Sequence, residues 1–149
     1  LSSESKLEIR GMLREVTEIE SIGDSCYNLA RTINRKRSGG NDFTEKQYEH
    51  IHQMMQLTSD ALAHMIAVVE DEHHVVDVNK SFNIENEINN YRAQLKNQNV
   101  VDVNNKEYDY QMGVHYMDII GECEKLGDYV VNVVEARTNV KEKKTGDNR

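Results

Sequence analysis

The sequence predicts an all-α protein, an antiparallel up-down four-helix bundle with long helices. Three observations predict it. The 149 residues include no Pro and only eight Gly, apolar positions recur in steps of three and four in four separate blocks, and the connections between blocks are short. A chain of this length buries about 70 % of its unfolded surface, enough for one core without disulfide or structural metal.

In the first block the stripe runs Ile9, Met12, Val16, Ile19, Gly23, Cys26, Ala30 and Ile33. Its spacing predicts a helix with this stripe turned towards the bundle. Arg35, Lys36 and Arg37 suit the carbonyl end of the helix dipole, and Ser38, Gly39, Gly40 and Asn41 release the chain. A second helix starts after Thr44, where Thr44 and Gln47 form a capping box and Phe43 staples to Tyr48. It carries Ile51, Met54, Leu57, Ala61, Met65 and Val68, and ends between Asp71 and Asp77.

The third helix is expected from about Asn79 to Gln98, using Phe82, Ile84, Ile88, Tyr91 and Leu95. The Asn-rich segment Asn97 to Asn105 is expected to be a loop. A fourth helix follows from about Lys106 to Val140 with Met112, Tyr116, Ile120, Cys123, Val130 and Val134.

A formal net charge of -8 and a sequence pI near 5.2 provide no broad positive field for phosphates, which argues against nucleic acid as a partner. The excess acid favours cations or basic surfaces. Two cysteines, Cys26 and Cys123, without a C-x-x-C spacing make no secreted disulfide framework and point to a reducing, intracellular compartment. Both fall on the helical seams, where a thiol behaves as a small hydrophobe. No run approaches the roughly 18 apolar residues of a membrane span. The chain begins with Leu1, which points to a processed product or a piece of a longer protein.

Helices one and four share a repeat. Glu18, Glu20, Gly23, Asp24 and Asn28 recur as Glu122, Glu124, Gly127, Asp128 and Asn132 at an offset of 104, giving E-x-E-x-x-G-D-x-x-x-N twice. Glu20 and Asp24 are four apart, as are Glu124 and Asp128, so each pair shares one helix face. Like charges at that spacing repel unless a cation sits between them, and carboxylate oxygens suit iron, manganese or magnesium. The alternative is a solvated acidic face. With the glycines on the seam, the acids flank it, which puts any such site in a groove or at the surface. A mid-helix Gly costs about 1 kcal/mol relative to Ala, so Gly23 and Gly127 are expected to serve close helix packing.

These residues resemble the PhoU family, whose repeats carry a signature of the type L-E-R-I-G-D-x-x-x-N-I-A. Ile19 to Asp24 followed by Asn28, Leu29 and Ala30 match the first copy; Cys123 to Asp128 followed by Asn132, Val133 and Val134 match the second. Glu85 to Asn89 looks like the family's acidic stretch on the preceding helix. Ser21 and Lys125 stand where the signature has Arg, and Asn89 stands where Asp is common. The resemblance implies a PhoU-like bundle in which Glu20, Asp24, Glu124 and Asp128 bind metal, iron or another divalent ion. A full PhoU protein has two three-helix repeats, and this chain starts on what would be the last helix of the first.

The chain is also similar to the cytoplasmic C-terminal domain of bacterial sodium-dependent phosphate cotransporter family proteins. That similarity implies a regulatory domain on the cytoplasmic side of the inner membrane, with the membrane transport domain of the same polypeptide as partner. A second copy of the chain is a further expected partner, since a bundle short of two helices exposes an apolar face. A free-standing PhoU-type phosphate signalling regulator is the alternative.

A carboxylate-bridged metal enzyme is the third reading. It needs a Glu-x-x-His pair on each of two helices, whereas Glu49/His52 and Glu70/His73 both belong to helix two or its end. His73 and His74 beside Asp71, Glu72 and Asp77, and the pair Asp60/His64, read either as metal ligands or as exposed polar groups. Tyr108, Tyr110, Tyr116 and Met117 on helix four fit a contact surface or plain core. No nucleophile motif or phosphate-cradling loop is present, so no enzymatic activity is expected.

Overall fold

The computed structural model describes residues 1–38 and 41–138. It contains four helices, α1 (Ser3–Ser38), α2 (Glu45–Val69), α3 (Asn79–Asn104) and α4 (Tyr110–Thr138), and no strand among the described residues. The expected release at Gly39 and Gly40 and the expected helix end at Val140 lie outside the described residues.

Side-chain pairs fix the directions. His50 meets Tyr116 and Arg137 reaches the Val69 carbonyl, so α2 and α4 run the same way. His64 meets Ser81 and Tyr91 meets Gln53, so α3 opposes α2. Arg14 pairs with Glu135, and Ser25 with Glu122, so α1 opposes α4. The order is up-down-up-down, as expected. The helices are not equally shared, however: α4 packs against all three others, α2 and α3 also pack together, and α1 lies on α4 alone.

The core follows from that arrangement. Met54, Ile88, Ile120, Cys123, Val130, Val133 and Val134 are wholly buried between α2, α3 and α4 or beneath α1. Helix α4 buries Val130, Val131, Val133 and Val134 in a near-continuous run because it is covered on two sides. The capping box is present: Thr44 Oγ1 accepts from Gln47 N–H at 3.1 Å and Gln47 Oε1 accepts from Thr44 N–H at 2.9 Å. Phe43 and Tyr48 meet edge to face, with centroids 5.5 Å apart.

Two expectations are corrected here. The Asn97 to Asn105 segment is helical almost to its end, since it holds no Pro or Gly and Asn is only a mild helix opponent. The helix stops at Asn104, two residues before Lys106, which takes a positive φ of 59°, while Lys106 N–H bonds to the Val103 carbonyl and Glu107 N–H to the Asp102 carbonyl. That pair of bonds is a Schellman ending. Helix α4 accordingly starts at Tyr110, with Asp109 Oδ1 accepting from Met112 N–H at 2.8 Å.

The second correction concerns α1. Ile9, Met12, Val16, Ile19, Gly23, Cys26 and Ala30, expected to face the bundle, are all exposed. The face laid on α4 is the neighbouring one, with Ile22, Ser25, Leu29 and Lys36 buried and Gly11, Glu15 and Glu18 half-buried. Lys36 is covered because its ammonium sits 4.9 Å from the Phe43 ring centroid.

Candidate functional site

The two copies of the repeat lie side by side, antiparallel. Asn132 Nδ2 donates to Glu18 Oε2 at 3.1 Å, joining the last residue of the second copy to the first residue of the other. Five residues further along each helix, Gly23 and Gly127 are level, so a local two-fold axis passes between them. The related pair would be Asn28 with Glu122. Instead Ser25 Oγ donates to Glu122 Oε1 at 2.7 Å, and Lys125 Nζ approaches Glu122 Oε2 at 3.5 Å. Asn28 stays half-buried, lining with Arg31, Thr32, Glu122 and Lys125 a groove of about 430 Å³.

The candidate metal ligands do not converge. Glu20 and Asp24 are exposed on the side of α1 away from α4, and Asp128 is exposed on α4. Glu124 is ion-paired with Arg92 Nε of α3 at 3.3 Å. Among the described residues no group of three or more His, Cys, Asp or Glu is placed to hold a metal ion. The donor set present does not fit a centre shared by the four acids. The physical reason is that each acid pair flanks the apolar seam of its own helix, and the two seams point in different directions. The acidic stretch of α3 is engaged internally too, with Asn89 Nδ2 donating to Glu85 Oε1 at 2.8 Å.

The glycines differ. A Cβ added to Gly127 would lie 3.2 Å from Ile88 Cδ1 and 3.9 Å from Glu85 Cγ, so Gly127 lets α3 approach α4 closely. A Cβ on Gly23 would meet nothing within 4 Å, so the close-packing expectation for Gly23 is corrected: it stands on the uncovered face of α1. Cys26 is likewise exposed rather than on a buried seam. Cys123 is wholly buried, and burial pushes its thiol up to about 11.

His64 and His50 have structural partners, whereas His73 and His74 are exposed in the turn after α2. His64 is buried and shares a 2.6 Å hydrogen bond with Ser81, while Asp60 accepts from Gln56, so the two do not form a ligand pair. Asp71 accepts from Val76 N–H and closes the turn after α2. His50, which the sequence reading passed over, shares a hydrogen bond with Tyr116 Oη at 2.9 Å beside a cavity of about 250 Å³ lined by Gln47, Asn99, Asp102 and Tyr108. Burial lowers the His50 pKa and raises that of Tyr116, so both are neutral near pH 7. Only the packing of α4 parallel to α2, with their first turns side by side, brings these two together, and no local spacing announces it.

Residues 51–136 match the PhoU domain, more than half of the chain, from the first turns of α2 nearly to the described end of α4. The chain belongs to the PhoU domain family. The match includes the second copy of the repeat and stops short of the first, which lies on α1. PhoU domains are helical regulatory domains and not an enzyme family. Their occurrence suggests a part in the regulation of phosphate transport. No curated protein and no solved structure matches the chain. No described helix is long and apolar enough to cross a membrane.

Proposed function

We propose that this PhoU domain is the cytoplasmic regulatory part of a sodium/phosphate symporter, joined to a membrane transport domain in the same polypeptide and adjusting its phosphate flux. The observation that carries the reading is the PhoU match together with the duplicated E-x-E-x-x-G-D-x-x-x-N motif at the α1–α4 contact. Regulation would act through the α1–α4 pair, since α1 has no other neighbour among the described helices.

The reading assigns no step to a metal. Iron analysis of protein purified without chelator checks this, and Glu20→Ala with Asp24→Ala is expected to leave the metal content unchanged. The functional test is sodium-driven phosphate uptake in cells expressing the whole encoded protein, with and without this domain. Uptake that no longer declines at high external phosphate when the domain is deleted supports the proposal. An open reading frame that starts immediately before Leu1, with no membrane segment in frame, overturns it in favour of a free-standing regulator.

A further inference from the structure

The offset of 104 that relates the two motif copies also relates the two helices beyond the motif. Met12, Val16, Ile19, Gly23, Cys26 and Ala30 of α1 correspond to Tyr116, Ile120, Cys123, Gly127, Val130 and Val134 of α4. All six of the α4 residues are buried, under α2 and α3. All six of the α1 residues are exposed, with Met12 at 63 %, Val16 at 58 % and Ile19 at 45 % of full exposure. The same seam is covered once and bare once. Its steps alternate three and four from Ile9 to Ala30, the spacing that keeps a seam against a partner helix.

We propose that this seam is the interface of a homodimer in which α1 packs antiparallel on α1 of a second copy. Side-chain size and charge both select that occupant. When Val16 is set level with Ile19 of the second copy, Met12 falls level with Gly23 and Ile9 with Cys26. Met12 and Ile9 of the first half each meet a small residue of the second, Val16 and Ile19 pack together at the centre, and the two-fold repeats these pairs to give six layers over about 25 Å of helix. Arg10 falls within one residue of level with Asp24 of the second copy, and neither has an ion pair within its own chain among the described residues.

A parallel pair does the opposite. It stacks Glu20 on Glu20 and Asp24 on Asp24, and it leaves a gap where two Gly23 residues face each other. The flank next to the seam carries Leu13 and Tyr27, 63 % and 66 % exposed, which widen the apolar strip that the antiparallel pair covers.

Sedimentation equilibrium of the intact chain is the test. A dimer dissociating in the micromolar range is expected, and a chain that stays monomeric at about 100 µM overturns the proposal. Met12→Glu with Ile19→Lys is expected to give a monomer of unchanged helicity, because neither side chain is buried in the monomer; a dimer that survives it overturns the interface. Arg10→Asp is expected to weaken the dimer about fivefold, with recovery when Asp24→Arg is added. Direction is read by thiol cross-linking under mild oxidation. Ile9→Cys is expected to cross-link to Cys26 of the second copy, whereas efficient Cys26–Cys26 cross-linking of the unmodified chain overturns the antiparallel arrangement.

Discussion

Glu18 accepts a hydrogen bond from Asn132 at 3.1 Å across the α1–α4 contact. The two residues are the opposite ends of one motif, contributed by different copies. In this chain the ends of the motif, and not its central acids, tie the repeats together and set the helix register.

That bond has a measurable coupling. Glu18→Ala and Asn132→Ala are each expected to cost about 0.5–1.5 kcal/mol of unfolding free energy in urea titrations. The double variant is expected to cost less than the sum of the two, giving a coupling energy of about 0.5 kcal/mol or more. Full additivity would show that the pair does not interact.

The two motif glycines are expected to respond in opposite directions. Gly23→Ala adds a methyl to open space and replaces a poor helix former, so it raises monomer stability by about 0.5–1 kcal/mol. Gly127→Leu drives a side chain into Ile88 and lowers stability by about 1–3 kcal/mol. Urea unfolding at submicromolar protein, where self-association is absent, compares them.

Acid is expected to weaken the fold in a window set by two histidines. Desolvation by burial is the main cause that holds His50 and His64 below the ordinary imidazole value, with Lys46 and Lys80 adding to it. Unfolded imidazole titrates near pH 6.5, so below about that pH the unfolded chain binds more protons than the folded one. The stability these two contribute is therefore full above the unfolded value and lost as pH falls towards their folded values. Melting temperature is expected to drop between pH 7 and pH 5, and His64→Gln to flatten the slope. Asp71 has a lowered pKa because the Val76 amide bonds to its carboxylate, and it acts only below the usual carboxylate range.

The thiols are expected to separate cleanly. Cys26 is exposed and Cys123 is buried with its thiol pushed up to about 11. At pH 8 and submicromolar protein, where self-association is absent, one equivalent of a thiol reagent should react within minutes and the second only on unfolding. Two fast equivalents would contradict the burial of Cys123.

Helix periodicity, the capping box at Thr44 and Gln47, and the repeat were all legible because each is written in neighbouring residues. The face that α1 buries was not. Its strongest apolar stripe, Ile9 to Ala30, has the right spacing for a covered seam, but spacing does not say whether a partner is present. Glu18, Ser25 and Asn28 lie on the face that is covered, and polar residues there look like solvent residues until Asn132 and Glu122 arrive opposite them. The end of α3 was misread for a different reason: the run of Asn suggested a loop, while the stop signal is the backbone turn at Lys106. The metal expectation rested on which acids share a helix face. It had no means of seeing that the two faces diverge and that Arg92 stands beside Glu124.

Helix α4 is the only described helix that α1 touches, and it is made last. On a ribosome, α2 and α3 can zip together as soon as they emerge, but α1 must wait for a partner more than a hundred residues downstream, the separation of Glu18 from Asn132 being 114. During that interval α1 presents both of its apolar flanks to the cytosol or to a chaperone. Docking of α1 is therefore the step of synthesis at which a nascent chain of this protein is most open to capture by another.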